Sequence, residues 1–256
     1  SGVMIGQSLQ LSRADSGLSM LPLYHVGGIA CNLVAPMLAG SQICFSVAFN
    51  PKAFFDALAG SQGVTWCYLV PSMWQMVLDY ANEYRELRSN RPWPRLRLIR
   101  SAGSDLSQHL ASELASFFGD AVSVLPTYGM TEAMPIASPA LPYRLEYPGS
   151  VGNPLPTISI EIVDSEDDKM SVVANGLVGE ITVKGPTVLD CYDNDIGQLS
   201  DFFTPRGYFR TGDLGHFADD GSGQLFINGR KKDVINRGGE TIAPKEVELL
   251  LRSDMG

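Results

Sequence analysis

The run VTWCYLV, residues 64–70, decides the class of the fold. It carries no charge and is nearly continuous in apolar, β-branched and aromatic side chains. Such a run suits a parallel strand covered on both faces. PSMWQMVLDYANEYRELRSN follows at 71–90, with Trp74, Val77, Leu78 and Ala81 at helical spacing. Trp74 and Met76 read as packing residues rather than cofactor contacts. A buried strand feeding an amphipathic helix is one repeat of an α/β architecture.

The same alternation runs outward from it. Residues 1–15 read as a polar helix and then a loop. Residues 18–23 read as a buried strand, and Gly27-Gly28 opens a helical run ending at Gly40. Pro36 inside that run predicts a kink or a late start. SQICFSV (41–47) reads as a strand, and PKAFFDALAG (51–60) as a helix with Pro51 in its first turn. LRLIRSAG (96–103) reads as strand and turn. SDLSQHLASELASFFG (104–119) reads as a helix, with Asp105 as N-cap and Gln108 at capping-box spacing, and with His109 facing solvent. AVSVL (121–125) is the next strand. About five such alternations predict an α/β fold: a parallel sheet with flanking helices and right-handed crossovers.

Composition shifts near Pro139. PALPYRLEYPGSVGNPLP (139–156) is rich in Pro and Gly and reads as a linker or domain seam. Beyond it, ISIEIVD (158–164), GEITVKG (179–185) and QLFING (224–229) read as short strands, with Ile158, Ile160 and Ile162 alternating with Ser159 and Glu161. They predict a small antiparallel sheet or β-barrel-like subdomain. SEDDK (165–169) and Asp219-Asp220-Gly221 read as hairpin turns, because neither has the spacing of an EF-hand loop. GRKKDVINRGGET (229–241) is basic and glycine-rich, and APKEVELLLRS (243–253) reads as a final helix with Pro244 at its start. The divisions expected are 1–140, 141–229 and 230–256.

The 256 residues include 45% hydrophobic side chains, enough for a full core. The formal charge of -9 argues against nucleic acid as partner, which requires a basic footprint. Cys31, Cys44, Cys67 and Cys191 form no CxxC pair, so free thiols in a reducing compartment are the expectation, with a cytoplasmic location. No apolar run is long enough for a membrane span. No GxGxxG follows a strand, which removes a nicotinamide-dependent dehydrogenase.

PTYGMTEAMPI (126–136) carries the chemistry. It follows the AVSVL strand, and ligands of open parallel sheets sit at the carboxyl ends of the strands. An aromatic ring (Tyr128), a glycine allowing close backbone approach (Gly129), a hydroxyl (Thr131) and a carboxylate (Glu132) suit a nucleotide and Mg2+. The alternative is a strand-to-loop turn with an exposed Thr-Glu pair.

Four motifs, SAGSDL (101–106), YGMTE (128–132), GYFRTGDLG (207–215) and GRKKDVINRGGETIAPKEVE (229–248), occur in the order of the adenylate-forming superfamily. The sequence resembles that family of acyl-CoA synthetases, luciferase-like enzymes and peptide-synthetase adenylation domains over nearly its whole length. The resemblance implies an ATP-dependent acid–thiol ligase that activates a small carboxylic acid as an acyl-AMP. The acyl group then passes to CoA or to a phosphopantetheine carrier protein. A non-catalytic nucleotide-binding module of the same fold is the alternative.

By resemblance, Gly103, Ser104, Thr127, Tyr128, Gly129, Met130, Thr131, Asp213 and Arg230 are expected to bind ATP or AMP. Gly103 and Ser104 would lie along the adenine, Tyr128 would flank it, and Asp213 would accept from the ribose hydroxyls. Thr131, Glu132 and Arg230 would be catalytic, with Glu132 holding Mg2+. His25, Gly27, Ala102 and Met134 would line the acid pocket. His25 stands where a peptide-synthetase domain typically has an Asp for an α-amine, which argues for an acid without one. Lys232 would be a hinge, and Gly238 and Gly239 would belong to the thiol-acceptor loop. The family's phosphate loop and C-terminal lysine do not occur in these residues. The expectation is therefore a fragment: residues 1–140 with the adenine and acyl pockets, 141–229 as the β-rich part, and 230–256 as the hinge and the start of a C-terminal domain. Alone, it is expected to be inactive.

Overall fold

In the computed structural model the apolar run becomes β3 (Trp66–Leu69), buried at every residue. Residues 1–46, 48–84, 93–190, 192, 202–237, 240–242, 244 and 247 are described. They fall into two units, Ser1–Pro156 and Thr157–Gly256. In the first, β3 is the middle strand of a five-stranded parallel sheet. The others are β1 (Ser16–Ser19), β2 (Gln42–Phe45), β4 (Leu98–Ser101) and β5 (Ser123–Pro126), in the order β2-β1-β3-β4-β5.

Strand alternation sends Cys67 and Leu69 to one face and Trp66 and Tyr68 to the other. The first face is covered by α3 (Pro51–Ala59), α4 (Pro71–Glu83) and α5 (Gln108–Phe118). Phe54, Trp74 and Phe118 pack edge to face there. The second face is covered by α1 (Gly2–Ser8) and by the helical segment after β1. The β1–β2 connection thus crosses one face and the β2–β3 connection the other. The winding reverses between β1 and β3, and the crevice at such a reversal is where α/β sheets take ligands.

Several local expectations are corrected. The helical run divides into a π-helix, Gly27–Val34, and α2 (Ala35–Ala39). Pro36 has no N–H to donate, and it sits in the first turn of α2, where the π-helix gives way to the α-helix. The strand before it ends at Ser19, short of Pro22. Helix α1 is not polar on its inner side: Ile5 is fully buried, as is Leu9 just beyond it. Ser107, not Asp105, caps α5, its side chain accepting from the Leu110 N–H at 3.2 Å. Met76 is 50% exposed, because it lies off the buried Trp74–Val77–Leu78–Ala81 stripe.

The second unit holds a four-stranded antiparallel sheet, β12-β11-β10-β9, built from β9 (Ser159–Val163), β10 (Gly179–Lys184), β11 (Phe209–Phe217) and β12 (Leu225–Arg230). Strand β11 was not expected. Gly212, at φ +72°, and a register shift at Leu214/Gly215 break the alternation that marks a strand. Gly215 is required there, since a Cβ would meet the Phe226 carbonyl oxygen at 2.4 Å. Asp167 and Asp220 accept backbone N–H groups in their turns. A 3-10 turn (Lys231–Asp233) leads to the hairpin β13 (Ile235–Arg237) and β14 (Glu240–Ile242). The helix expected at 243–253 lies almost wholly outside the described residues. Cys31, Cys44 and Cys67 are buried free thiols, and burial pushes the Cys67 thiol up.

Candidate functional site

Two of the motifs meet at the carboxyl ends of β4 and β5. Ser101 pairs with Pro126, and the Thr127 N–H donates to the Ser101 carbonyl at 2.9 Å. Past β4 come buried Ala102 and then exposed Gly103 and Ser104. Gly103 adopts φ +94°, a conformation that strains any residue with a Cβ. Past β5 the chain forms a hairpin rather than a loop: β6 (Tyr128–Met130) pairs with β7 (Ala133–Ser138), and β8 (Asn153–Pro154) extends the sheet. Thr131 and Glu132 form the tip between paired Met130 and Ala133, with Thr131 exposed and Glu132 half-buried. Tyr128 is buried, and Gly129 lies close to β7: a Cβ there would sit 3.4 Å from the Ala133 carbonyl oxygen.

The hairpin tip holds a single carboxylate beside a hydroxyl. Among the described residues no group of three or more His, Cys, Asp or Glu could hold a metal ion. One carboxylate still fits Mg2+, which keeps several waters and takes further oxygens from phosphates. It does not fit zinc or calcium, which take more protein ligands.

The sequence-predicted acid-pocket residues lie along the sheet's second face. His25 is exposed, and its Nδ1 accepts from the Gly27 N–H at 3.0 Å, which places the neutral ring's proton on Nε2. Gly27 packs against Tyr68, whose hydroxyl an added Cβ would approach to 2.9 Å. Gly28 lies closer still, since a Cβ there would come 2.0 Å from the Pro22 carbonyl oxygen. Burial pushes the Tyr68 phenol up, partly offset by the Arg100 charge, so it stays a neutral donor. The Arg100 guanidinium carbon lies 4.8 Å from the Tyr68 ring centroid. Arg100 Nε donates to Thr127 Oγ1 at 2.9 Å, and Nη1 to Cys31 Sγ at 2.6 Å. The Cys31 thiol in turn donates to Met134 Sδ at 3.8 Å.

Gly27 and Met134 are therefore joined through Tyr68, Arg100 and Cys31, and Ala102 follows Arg100 by two residues. None of the three connecting residues was singled out from sequence. The signal was present in Arg100, a lone charge in LIRS, a strand buried at all four positions. Thr127, expected at the nucleotide, has its hydroxyl engaged with Arg100 Nε and the Ser101 carbonyl.

In the second unit, Asp213 on β11 stands opposite Arg230 on β12. Arg230 Nε lies 3.3 Å from Asp213 Oδ1; the aspartate is buried and the arginine more than half exposed. The Asp213 N–H donates to Thr211 Oγ1, tightening the chain around Gly212. Lys231 is anchored, its Nζ 3.4 Å from Glu166, 3.4 Å from the Ser165 carbonyl and 3.9 Å from Glu180. Glu180 is itself buried and held by both Arg210 Nε and Nη2. Lys232, the expected hinge, is exposed in the 3-10 turn next to that anchor. Gly238 and Gly239 lie outside the described residues.

Residues 2–193 match the family described as AMP-binding enzyme. The chain belongs to the AMP-binding enzyme family. This is the adenylate-forming superfamily that the four motifs resemble. An indoleacetate–CoA ligase of Aromatoleum aromaticum is 35% identical over 243 residues, covering 94% of this chain and 45% of the relative. ATP-bound MatB from Rhodopseudomonas palustris shares the fold at a TM-score of 0.87 and 28% identity, over 97% of this chain and 46% of that one. The o-succinylbenzoate coenzyme A synthetase MenE from Bacillus subtilis, in complex with ATP and magnesium, matches at 0.83 and 28%, over 99% and 49%. The curated relatives are CoA ligases, and the chain spans about half their length. The parallel sheet with its antiparallel companions is the architecture of those AMP-binding enzymes. No helix among the described residues is long and apolar enough to cross a membrane.

Proposed function

We propose that this chain is the part of an ATP-dependent acid–thiol ligase that holds the nucleotide and the acid. One observation carries the reading: the Gly103 turn and the Tyr128–Glu132 segment lie side by side at the carboxyl ends of neighbouring parallel strands. The names of the relatives, all CoA ligases, and of ATP-bound structural neighbours support it.

The reaction joins a carboxylate oxygen of the acid to the α-phosphorus of ATP. The bond to the β-phosphate oxygen breaks, and pyrophosphate departs with its electron pair. A thiol, of CoA or of a phosphopantetheine carrier, then attacks the acyl carbon of the acyl-AMP and AMP leaves. Gly103 and Ser104 bring backbone along the adenine, and Tyr128, Gly129 and Met130 wall it. Thr127 acts one step back, holding Arg100 and Ser101 in place. The Thr131 hydroxyl donates to an α-phosphate oxygen. Glu132 would hold Mg2+, which supplies charge neutralisation on the phosphates. Asp213 accepts from the ribose diol, and Arg230 compensates phosphate charge. The His25 turn, Gly27, Ala102 and Met134 orient the acid, and orientation of two reactants lowers the barrier without further chemistry. Lys232 serves as the hinge after the anchored Lys231, and Gly238 and Gly239 approach the thiol.

The test is exchange of labelled pyrophosphate into ATP by the full-length protein carrying this chain, across a panel of carboxylic acids. Exchange that depends on one acid class and is lost in Thr131→Val supports the ligase. A folded protein that binds AMP yet exchanges with no acid would instead be a nucleotide-binding module.

A further inference from the structure

Arg100 is 2% exposed, yet among the described residues it meets no carboxylate. Its partners are a hydroxyl, a sulfur and an aromatic face. Tyr68 is no counter-ion, because burial favours its neutral form. Arginines are almost never fully buried unless paired, and an unpaired charge in a protein interior is costly. Nη2 has no acceptor among the described residues, and a guanidinium fork matches a planar anion with two oxygens.

The position says which anion. Arg100 stands at the carboxyl end of β4, among residues expected to receive the acid: beside Tyr68, which packs on Gly27, and beside Cys31, which touches Met134. It faces the same side of its strand as Ala102, about 6–7 Å away along the backbone by the rise of two strand residues. We infer that Arg100 is a specificity-determining residue that pairs with a second anionic group on the acid. The substrate class is then a short dicarboxylic or sulfonate-bearing carboxylic acid. A purely apolar acyl chain would be rejected, because it would cover the guanidinium without compensating its charge. This rests on the ligase reading above.

The experiment compares matched pairs of acids in pyrophosphate exchange by the full-length protein: malonate with propionate, succinate with butyrate, sulfoacetate with acetate. The wild type should favour the anion-bearing member of at least one pair by about a hundredfold or more in kcat/KM, the scale of a buried charge pair. Arg100→Met should erase that preference, mainly through the KM of the anion-bearing acid. Arg100→Lys should keep part of it, as a charge without the fork. Thermal unfolding of each variant checks folding. If Arg100→Met does not fold, the wild-type pairs and Arg100→Lys decide. A wild type that favours the monoacid in every pair overturns the inference and leaves the ligase standing, as does a folded Arg100→Met that keeps the preference. Exchange with no acid at all sinks both.

Discussion

Replacing Thr127 by valine isolates the bond that holds Arg100 in place. The Thr127 hydroxyl is buried, accepts from Arg100 Nε at 2.9 Å and lies 3.3 Å from the Ser101 carbonyl. Valine keeps the shape and removes the acceptor, which leaves a guanidinium N–H unsatisfied in the interior. A hydrogen bond to a charged group is worth about 1.5–3 kcal/mol. For a protein of this size each kcal/mol moves the thermal midpoint by about 2–4 °C, so the expected fall is about 3–12 °C. Thr127→Ser is the control, since it keeps the hydroxyl and loses one methyl, about 0.8 kcal/mol. Both are read by thermal unfolding followed by near-UV circular dichroism. A Thr127→Val variant that melts no lower than Thr127→Ser would show that the bond to Arg100 does not stabilise the fold.

Two further outcomes follow from the same face of the sheet and its rim. Gly28→Ala places a methyl 2.0 Å from the Pro22 carbonyl oxygen and should destabilise by about 1–3 kcal/mol in denaturant titration; a change under about 0.5 kcal/mol would contradict the packing. Asp15 is a pH-dependent anchor. Burial pushes its carboxyl up, but the Arg97 guanidinium at 2.8 Å and the Thr65 hydroxyl outweigh that and hold it below the ordinary value. Its stabilising contribution is therefore complete above the unfolded-state value near pH 4 and is lost as pH falls through the lower folded value. Asp15→Asn should be less stable than wild type at pH 7, with the gap closing below about pH 4; a gap that stays constant down to pH 2 would count against the anchor.

Much of the first unit was legible because its signals are local. VTWCYLV has no charge and became the central strand, and the Trp74–Val77–Leu78–Ala81 spacing became the buried stripe of α4. Met76 misled only when counted by hydrophobicity rather than by its angle on the helix. What escaped depends on tertiary structure. Strand β11 hides behind Gly212 and Gly215, whose roles are a left-handed turn and a close approach to β12. The Thr131-Glu132 pair reads as a loop until β7 pairs back on β6. Ser107 outcompetes Asp105 as the cap because the helix starts at Gln108, which puts Ser107 three residues before the Leu110 N–H it must satisfy. Asp213 and Arg230 were both named from a resemblance, but their pairing needed the β11–β12 register. Arg100 was passed over because its burial beside Tyr68 and Cys31 is set by tertiary packing, not by its strand alone.

Nucleotide binding is read most directly by calorimetric titration of the protein with AMP, repeated with Asp213→Ala. Saturable binding by the wild type is expected, with at least a tenfold loss in the folded variant, since the ribose diol would lose its buried acceptor. A well-folded wild type that does not bind AMP, or a variant that binds it equally well, would contradict the nucleotide site assigned to these residues.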